Sequence, residues 1–399
     1  MRRGITFSGG VAGALALAFV ACVGDSSIPG VDASTGDGGG MGGEGQPCFA
    51  DKTCNATLTC VSNACIRTGN DASVDASVDD AADGAVATAP SCKPGGAGMT
   101  NCGAGSESCC TSVAVTGGTY DRTYTNNGNG ATGKADPATV AGFRLDKYEV
   151  TVGRFRQFVG AWNGGAGWLP PASSGKHTHL NGGLGLANGG SPGTYEAGWS
   201  ATDNSSVAPT NANLACEASY PTWTPSAAGQ EKLPINCVNW YEAAAFCIWD
   251  GGFLPSEAEW EYAAAGGSEE RQYPWGTAAP GTASQYAIYG DGTGKCYYPS
   301  GLATCTGASN IAPVGTPTLG VGSWGQLDLA GNVFEWNVDW YAASYTSCTN
   351  CGYLTAATTR VVRGDDFYNP ASNLLPPNRS AAPPTDRRST FGVRCARTP

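Results

Sequence analysis

Apolar side chains are spread unevenly along the chain. Gly24 to Gln46 is Gly/Asp/Ser-rich and almost free of large apolar residues, so it buries too little surface to repay its ordering entropy and is expected to be a flexible tether. Thr68 to Pro90 repeats Asp-Ala-Ser-Val-like units (Asp71, Asp75, Asp79, Asp80, Asp83) without a base, a second, self-repelling spacer. From Gly118 onward aromatic and apolar residues recur without a comparable break, and residues 118–399 read as one domain. Within it Val152, Phe155, Phe158 and Val159 follow Thr151 at helical spacing. Asn239 with Glu242 and Ser256 with Glu259 have the three-residue spacing of reciprocal capping boxes, and Gly251 and Gly266 stand where those two helices would end. Trp162 to Ser219 is rich in Gly, Asn and Pro and predicts no regular structure. Beyond Gly266, short aromatic or β-branched runs between Gly/Pro turns predict short strands.

Composition changes this picture in one respect. The 399 residues hold 17 Cys against 3 Met, with 59 Gly, 24 Pro and 11 Trp; this is a loop-rich α+β chain of an oxidising compartment. A net charge of −11 and no Lys/Arg run remove the electrostatic footprint of a nucleic-acid binder. Arg2 and Arg3 precede an apolar, small-residue stretch from Val11 to Ala21, too short to span a membrane, so residues 1–21 read as a signal peptide. Phe19-Val20-Ala21-Cys22 resembles a lipobox. A lipid on Cys22 would anchor the chain to the cell envelope, at the outer membrane or cell surface, with residues 22–46 as tether; ordinary signal cleavage, giving a secreted protein, is the alternative. Setting Cys22 aside leaves an even number of cysteines, as a fully paired protein requires. Cys48, Cys54, Cys60 and Cys65 form a small disulfide module over residues 47–67, their spacing being unlike a zinc site. The spacer occupies 68–90, and Cys92, Cys102, Cys109 and Cys110 belong to a lead-in, 91–117. Spacing alone leaves the pairing of these eight cysteines open.

Four ordered segments carry a resemblance: Phe143-Arg144-Leu145-Asp146-Lys147-Tyr148-Glu149-Val150-Thr151; Leu233 to Trp240 with Glu242, Ala243, Ala244 and Cys247; Leu254 to Ala264 with Tyr273-Pro274-Trp275-Gly276; and Asp328 to Trp336 with Arg363-Gly364 and Phe391 to Cys395. Together they resemble the formylglycine-generating-enzyme, or sulfatase-modifying-factor, family over residues 118–399. The resemblance implies a loop-rich α+β fold related to C-type lectins, usually extracytoplasmic. It also implies a disulfide between Cys247 and Cys395, while Ala264 and Ser380 replace both halves of a second family bridge. Cys216 with Cys237, Cys296 with Cys305 and Cys348 with Cys351 pair most simply as local staples; a redox role for Cys348-x-x-Cys351 is the alternative.

Active members hold copper(I) on two cysteines. Here the matching segment is Arg363-Gly364-Asp365-Asp366-Phe367-Tyr368-Asn369-Pro370, and the thiolate positions fall on Asn369 or Pro370 and on Leu374 or Leu375. Carboxylates are hard ligands that suit copper(I) poorly. Copper chemistry is therefore not expected, and Arg363, Asp365, Asp366, Asn369 and Arg379 become candidates for a polar cleft, with Arg387, Arg388 and Arg394 nearby. The resemblance also implies calcium as a structural cofactor at Asn332 and Glu335, with carbonyls of Ala330, Gly331 and Val333, oxygen donors that suit a hard cation; alternatively Glu335 caps a turn or pairs with an arginine. His177 and His179 alternate as in some metal sites, but a surface loop is the expected setting. The sequence thus supports a binding module taking a peptide, protein or glycan at the cell surface. An oxidoreductase of the same family with a changed active site is the alternative.

Overall fold

The computed structural model describes residues 59–61, 64–66, 89–92, 102–103 and 107–399. The signal segment, Cys22, the tether, Cys48, Cys54 and nearly all of the Asp/Ala-rich spacer lie outside them. The chain divides into two units, Met1–Val78 and Asp79–Pro399. In the first, Thr59–Val61 pairs antiparallel with Ala64–Ile66, setting Cys60 opposite Cys65 in the register.

The second unit is a mixed α+β assembly with three helices among the described residues. α1, Val152–Trp162, begins where the Thr151 hydroxyl accepts the Arg154 N–H, and ends at Asn163 in the left-handed conformation. α2, Trp240–Trp249, and α3, Glu257–Ala265, both carry complete capping boxes, Asn239/Glu242 and Ser256/Glu259. Gly266 closes α3 with φ +69°, the geometry Gly provides without penalty. The stretch from Trp162 to Ser219 contains only short 3-10 turns and a two-residue strand.

Around the helices lie short sheets. Phe334–Trp340 is central in a four-stranded sheet, flanked by antiparallel Arg360–Arg363 and parallel Phe391–Gly392, with Ser380–Ala382 at the edge. Ala131–Val140 pairs with Gly118–Asn126 and Cys348–Thr349, and Phe143–Asp146 with Ser112–Val115 and Ala396–Arg397. One core packs α1 and α2, including Phe155, Phe158 and Phe246, on Trp336, Val362 and Phe391. A second packs α3, through Trp260 and Tyr262, on Tyr120, Val140 and Phe143.

The domain boundary at 118 moves forward. Ser112–Val115 lies inside the expected lead-in yet forms a sheet edge, and the Ser91 N–H donates to Asp250. The disulfides Cys92–Cys110 and Cys102–Cys109 staple that segment internally, and the ladder to Phe143–Asp146, the Arg154–Ser91 hydrogen bond and the Lys147–Glu107 ion pair build it into the domain. Cys247 joins Cys395, Cys216 joins Cys237, Cys296 joins Cys305 and Cys348 joins Cys351. The first of these closes a loop of 148 residues, the kind of bridge that removes most entropy from the unfolded chain.

Candidate functional site

The strand Arg360–Arg363 runs into a turn that presents two carboxylates. Gly364 takes φ +93°, and a Cβ there would lie 3.1 Å from the Trp260 ring, so Gly is required by both conformation and space. Asp365 follows, also left-handed, at φ +65°. Its Oδ1 accepts the Asp366 N–H at 2.8 Å and the Asn369 amide at 2.7 Å. Asp366 Oδ1 accepts the Tyr368 and Asn369 N–H groups at 2.8 and 3.1 Å. These bonds hold both carboxyls at the wall of a cavity of about 450 Å³, which Asn369, Asn373, Arg379 and Arg388 also line.

Neither carboxylate is ion-paired among the described residues. Arg379 is spent on Glu257, donating at 2.8 and 2.6 Å while lying over Tyr341 and Tyr345. Arg388 pairs with Asp386 at 2.8 Å. Burial, reinforced by the neighbouring charge of Asp365, pushes Asp366 up to about 7, and burial also raises Asp365.

Four of the five cleft candidates, Asp365, Asp366, Asn369 and Arg379, thus meet at one cavity. Arg363 does not. It is fully buried, 2.8 Å from Glu261, and donates to the carbonyls of Pro376 and Asn378; it fixes the segment behind the cavity. Arg387 and Arg394 also turn elsewhere, to Glu242 and Glu335. Phe334, Asn373 and Asn378 join the lining with no signal in the sequence; strand pairing brings Phe334 there, and the chain after Asp366 folds back to bring Asn373 and Asn378.

The cavity does not suit copper(I). All twelve cysteines from Cys92 onward are in disulfides, Asn369 offers an amide, and Leu374 is a buried core residue packed near Tyr289 and Ala330. The donors present are hard oxygens and amides.

Of the calcium candidates, the side chains of Glu335 and Asn332 have protein partners. Glu335 accepts Arg394 Nε and Nη2 at 2.8 to 3.0 Å and the Trp260 indole N–H at 2.6 Å. Asn332 accepts the Ala312 N–H and donates to Glu149 and the Ala312 carbonyl. The Val333 N–H donates to Glu149, and the Asn332 carbonyl accepts the Phe367 N–H. Glu335 thus takes the alternative role of an arginine partner.

His177 departs from its expected surface setting. It is fully buried, with Nδ1 3.0 Å from Glu196 and Nε2 3.0 Å from Glu259, the capping residue of α3. His179 is half-buried and stacks on Phe253 with ring planes 16° apart.

The sulfatase-modifying factor enzyme 1-like domain model matches residues 101–399. The chain belongs to this family. It is similar to the formylglycine-generating enzyme of Mus musculus, 32% identical over 169 residues, which are 41% of this chain and 44% of the mouse protein. It is also similar to the inactive C-alpha-formylglycine-generating enzyme 2 of Bos taurus, 31% identical over 181 residues, covering 43% and 53% of the two chains. The chain spans about half the length of these relatives. Among solved structures, PvdO from Pseudomonas aeruginosa aligns at 21% identity and TM-score 0.46, covering 72% of this chain and 94% of that one. The sulfatase-modifying-factor domain therefore takes in Cys102, Cys109 and Cys110 of the expected lead-in.

Proposed function

We propose that this sulfatase-modifying-factor domain is a non-catalytic binding module whose cleft captures a cationic group, such as a lysine or arginine side chain of a peptide or protein. The observation that supports this reading is the pair Asp365 and Asp366. They border a cavity of about 450 Å³, while Arg379 of its wall pairs with the buried Glu257 and Arg388 with Asp386. A cation entering the cavity would meet two carboxylates held in place by the turn, and it would offset the cost of their burial. Six disulfides in the second unit support an extracytoplasmic location. In the same reading Cys22 carries the lipid, and Cys22→Ala is expected to move the protein from the membrane to the soluble fraction.

The test is calorimetric titration with a lysine-rich peptide and its acetylated form. Because Asp366 is held near 7, it is protonated below and charged above that value, so affinity for the cationic peptide rises from pH 6 to pH 8. Asp365→Asn/Asp366→Asn is expected to weaken binding by at least about tenfold, the scale of a lost charge-assisted bond. Equal binding of the acetylated peptide would refute the cationic ligand. Incubating a Cys-containing sulfatase-type peptide with the protein, copper(I) and oxygen should leave the thiol intact by mass spectrometry. Formation of an aldehyde would instead establish an oxidoreductase with a changed site.

A further inference from the structure

A second cavity, of about 150 Å³, lies away from the Asp365/Asp366 cleft, between α2 and the 174–203 segment. Its wall includes Trp199, Trp240, Trp340, Ile248, Leu254 and Arg360. The Arg360 guanidinium is sandwiched between two indoles, 3.7 Å from the ring centroids of both Trp240 and Trp340. Trp199 lies parallel to Trp240, with planes 8° apart. Among the described residues Arg360 has no ion-pair partner: Nη1 donates to the Val338 carbonyl, and the buried Nε has no partner.

Arg363, Arg379 and Arg394, by contrast, are each matched to a carboxylate. Burial holds Arg360 down to about 9, which still leaves it cationic at neutral pH. The carboxylates around it are engaged or set apart. Glu196 is tied to His177, and Asp339 accepts the N–H groups of Glu257 and Tyr353. Asp203 lines the cavity without an ion pair to Arg360, and burial raises its carboxyl above the ordinary range. Asp339 and Asp203 support the Arg360 charge only through space; a buried cation without a contacting anion is costly, and a ligand that supplies one recovers part of that cost. Flat or apolar ligand bodies gain in addition from contact with the indoles.

We propose that this cavity is a second binding site, for a small carboxylate with a flat apolar body whose anion meets Arg360 and whose ring lies among the three tryptophans. It is separate in place and opposite in charge preference from the Asp365/Asp366 cleft, which takes a cation. Here Arg360 supplies attraction and Asp203 a like charge, so the two residues act in opposite senses.

Phenylacetate, its neutral isostere phenylacetamide and the cation benzylamine form the probe series, read by calorimetry and by quenching of tryptophan fluorescence. Phenylacetate is expected to bind about tenfold or more tighter than the amide, the worth of one charge-assisted contact. Asp203→Asn, at a half-exposed position that leaves the fold intact, should tighten phenylacetate roughly threefold by removing the like charge and leave the amide unchanged. Arg360→Lys keeps the charge but loses the planar stack, and should weaken phenylacetate by about tenfold. If Arg360→Lys does not fold, the ligand series and Asp203→Asn carry the test. Equal binding of carboxylate and amide, tighter binding of benzylamine, or no response to Asp203→Asn would overturn the proposal.

Discussion

Replacing His177 by alanine is expected to cost about 3–5 kcal/mol of stability, the range for stranding a buried charge by removing its partner. That loss should lower the melting temperature by roughly 10 °C. The imidazole sits between two carboxylates, Glu196 and Glu259, each 3.0 Å away, and Glu196 also accepts the His177 backbone N–H at 2.9 Å. Burial alone would lower the imidazole, but the two carboxylate charges raise it from 6.5 to about 10. His177 therefore contributes fully below pH 6.5, and its contribution is lost as pH rises through 10. The carboxylates have the opposite sign. Burial tends to raise both, yet the His177 charge holds both below 4.5, so their part is lost only as pH falls below that value. Thermal melts of the native protein and His177→Ala should accordingly differ most near pH 6 and converge towards pH 10. In His177→Ala/Glu196→Gln, part of the loss should return, since one unpaired carboxylate is gone. A difference that stays constant from pH 6 to pH 10 would show that the imidazole is not held as a cation.

Glu335→Ala should be comparably destabilising, again by about 3–5 kcal/mol, because it strands a buried guanidinium. Arg394 uses all five of its N–H donors. Nε and one Nη2 hydrogen go to Glu335, the other to the Leu327 carbonyl, and Nη1 to the carbonyls of Asp146 and Lys147. The pair thereby ties the strand Phe334–Trp340 to the 327 and 146 loops, and Trp260 of α3 donates to the same carboxylate. Glu335→Ala/Arg394→Met should recover much of the loss, since apolar side chains of similar volume often replace a buried pair at little cost. Urea denaturation of the two single variants and the double variant measures the coupling. Chelator should leave the difference between native protein and Glu335→Ala unchanged. A difference that disappears in chelator would return this carboxylate to the role of a calcium ligand.

Much of this architecture is written locally. Capping boxes link residues three apart, so Asn239/Glu242 and Ser256/Glu259 are legible directly, together with the glycine that ends α3. The spacing after Thr151 likewise marks α1, and the short range of Cys216–Cys237, Cys296–Cys305 and Cys348–Cys351 makes those pairs legible. The ordered motifs identify the family, and the absence of cysteine between Cys351 and Cys395 is likewise plain in the sequence.

What the tertiary structure decided concerns charges whose partners lie far apart in sequence. Glu335 has the sequence setting of a turn carboxylate available to an ion; its partner Arg394 is 59 residues away. His177 has that of a loop histidine, yet Glu259, 82 residues on, encloses it. Arg360 has no signal at all, because its stack depends on how Trp240 of α2 and Trp340 of the central strand meet. Composition and spacing fix helix ends and loop staples, since those interactions close within a few residues. Whether a buried charge is satisfied or left to a ligand depends on which distant segments pack beside it, and only the folded chain sets that.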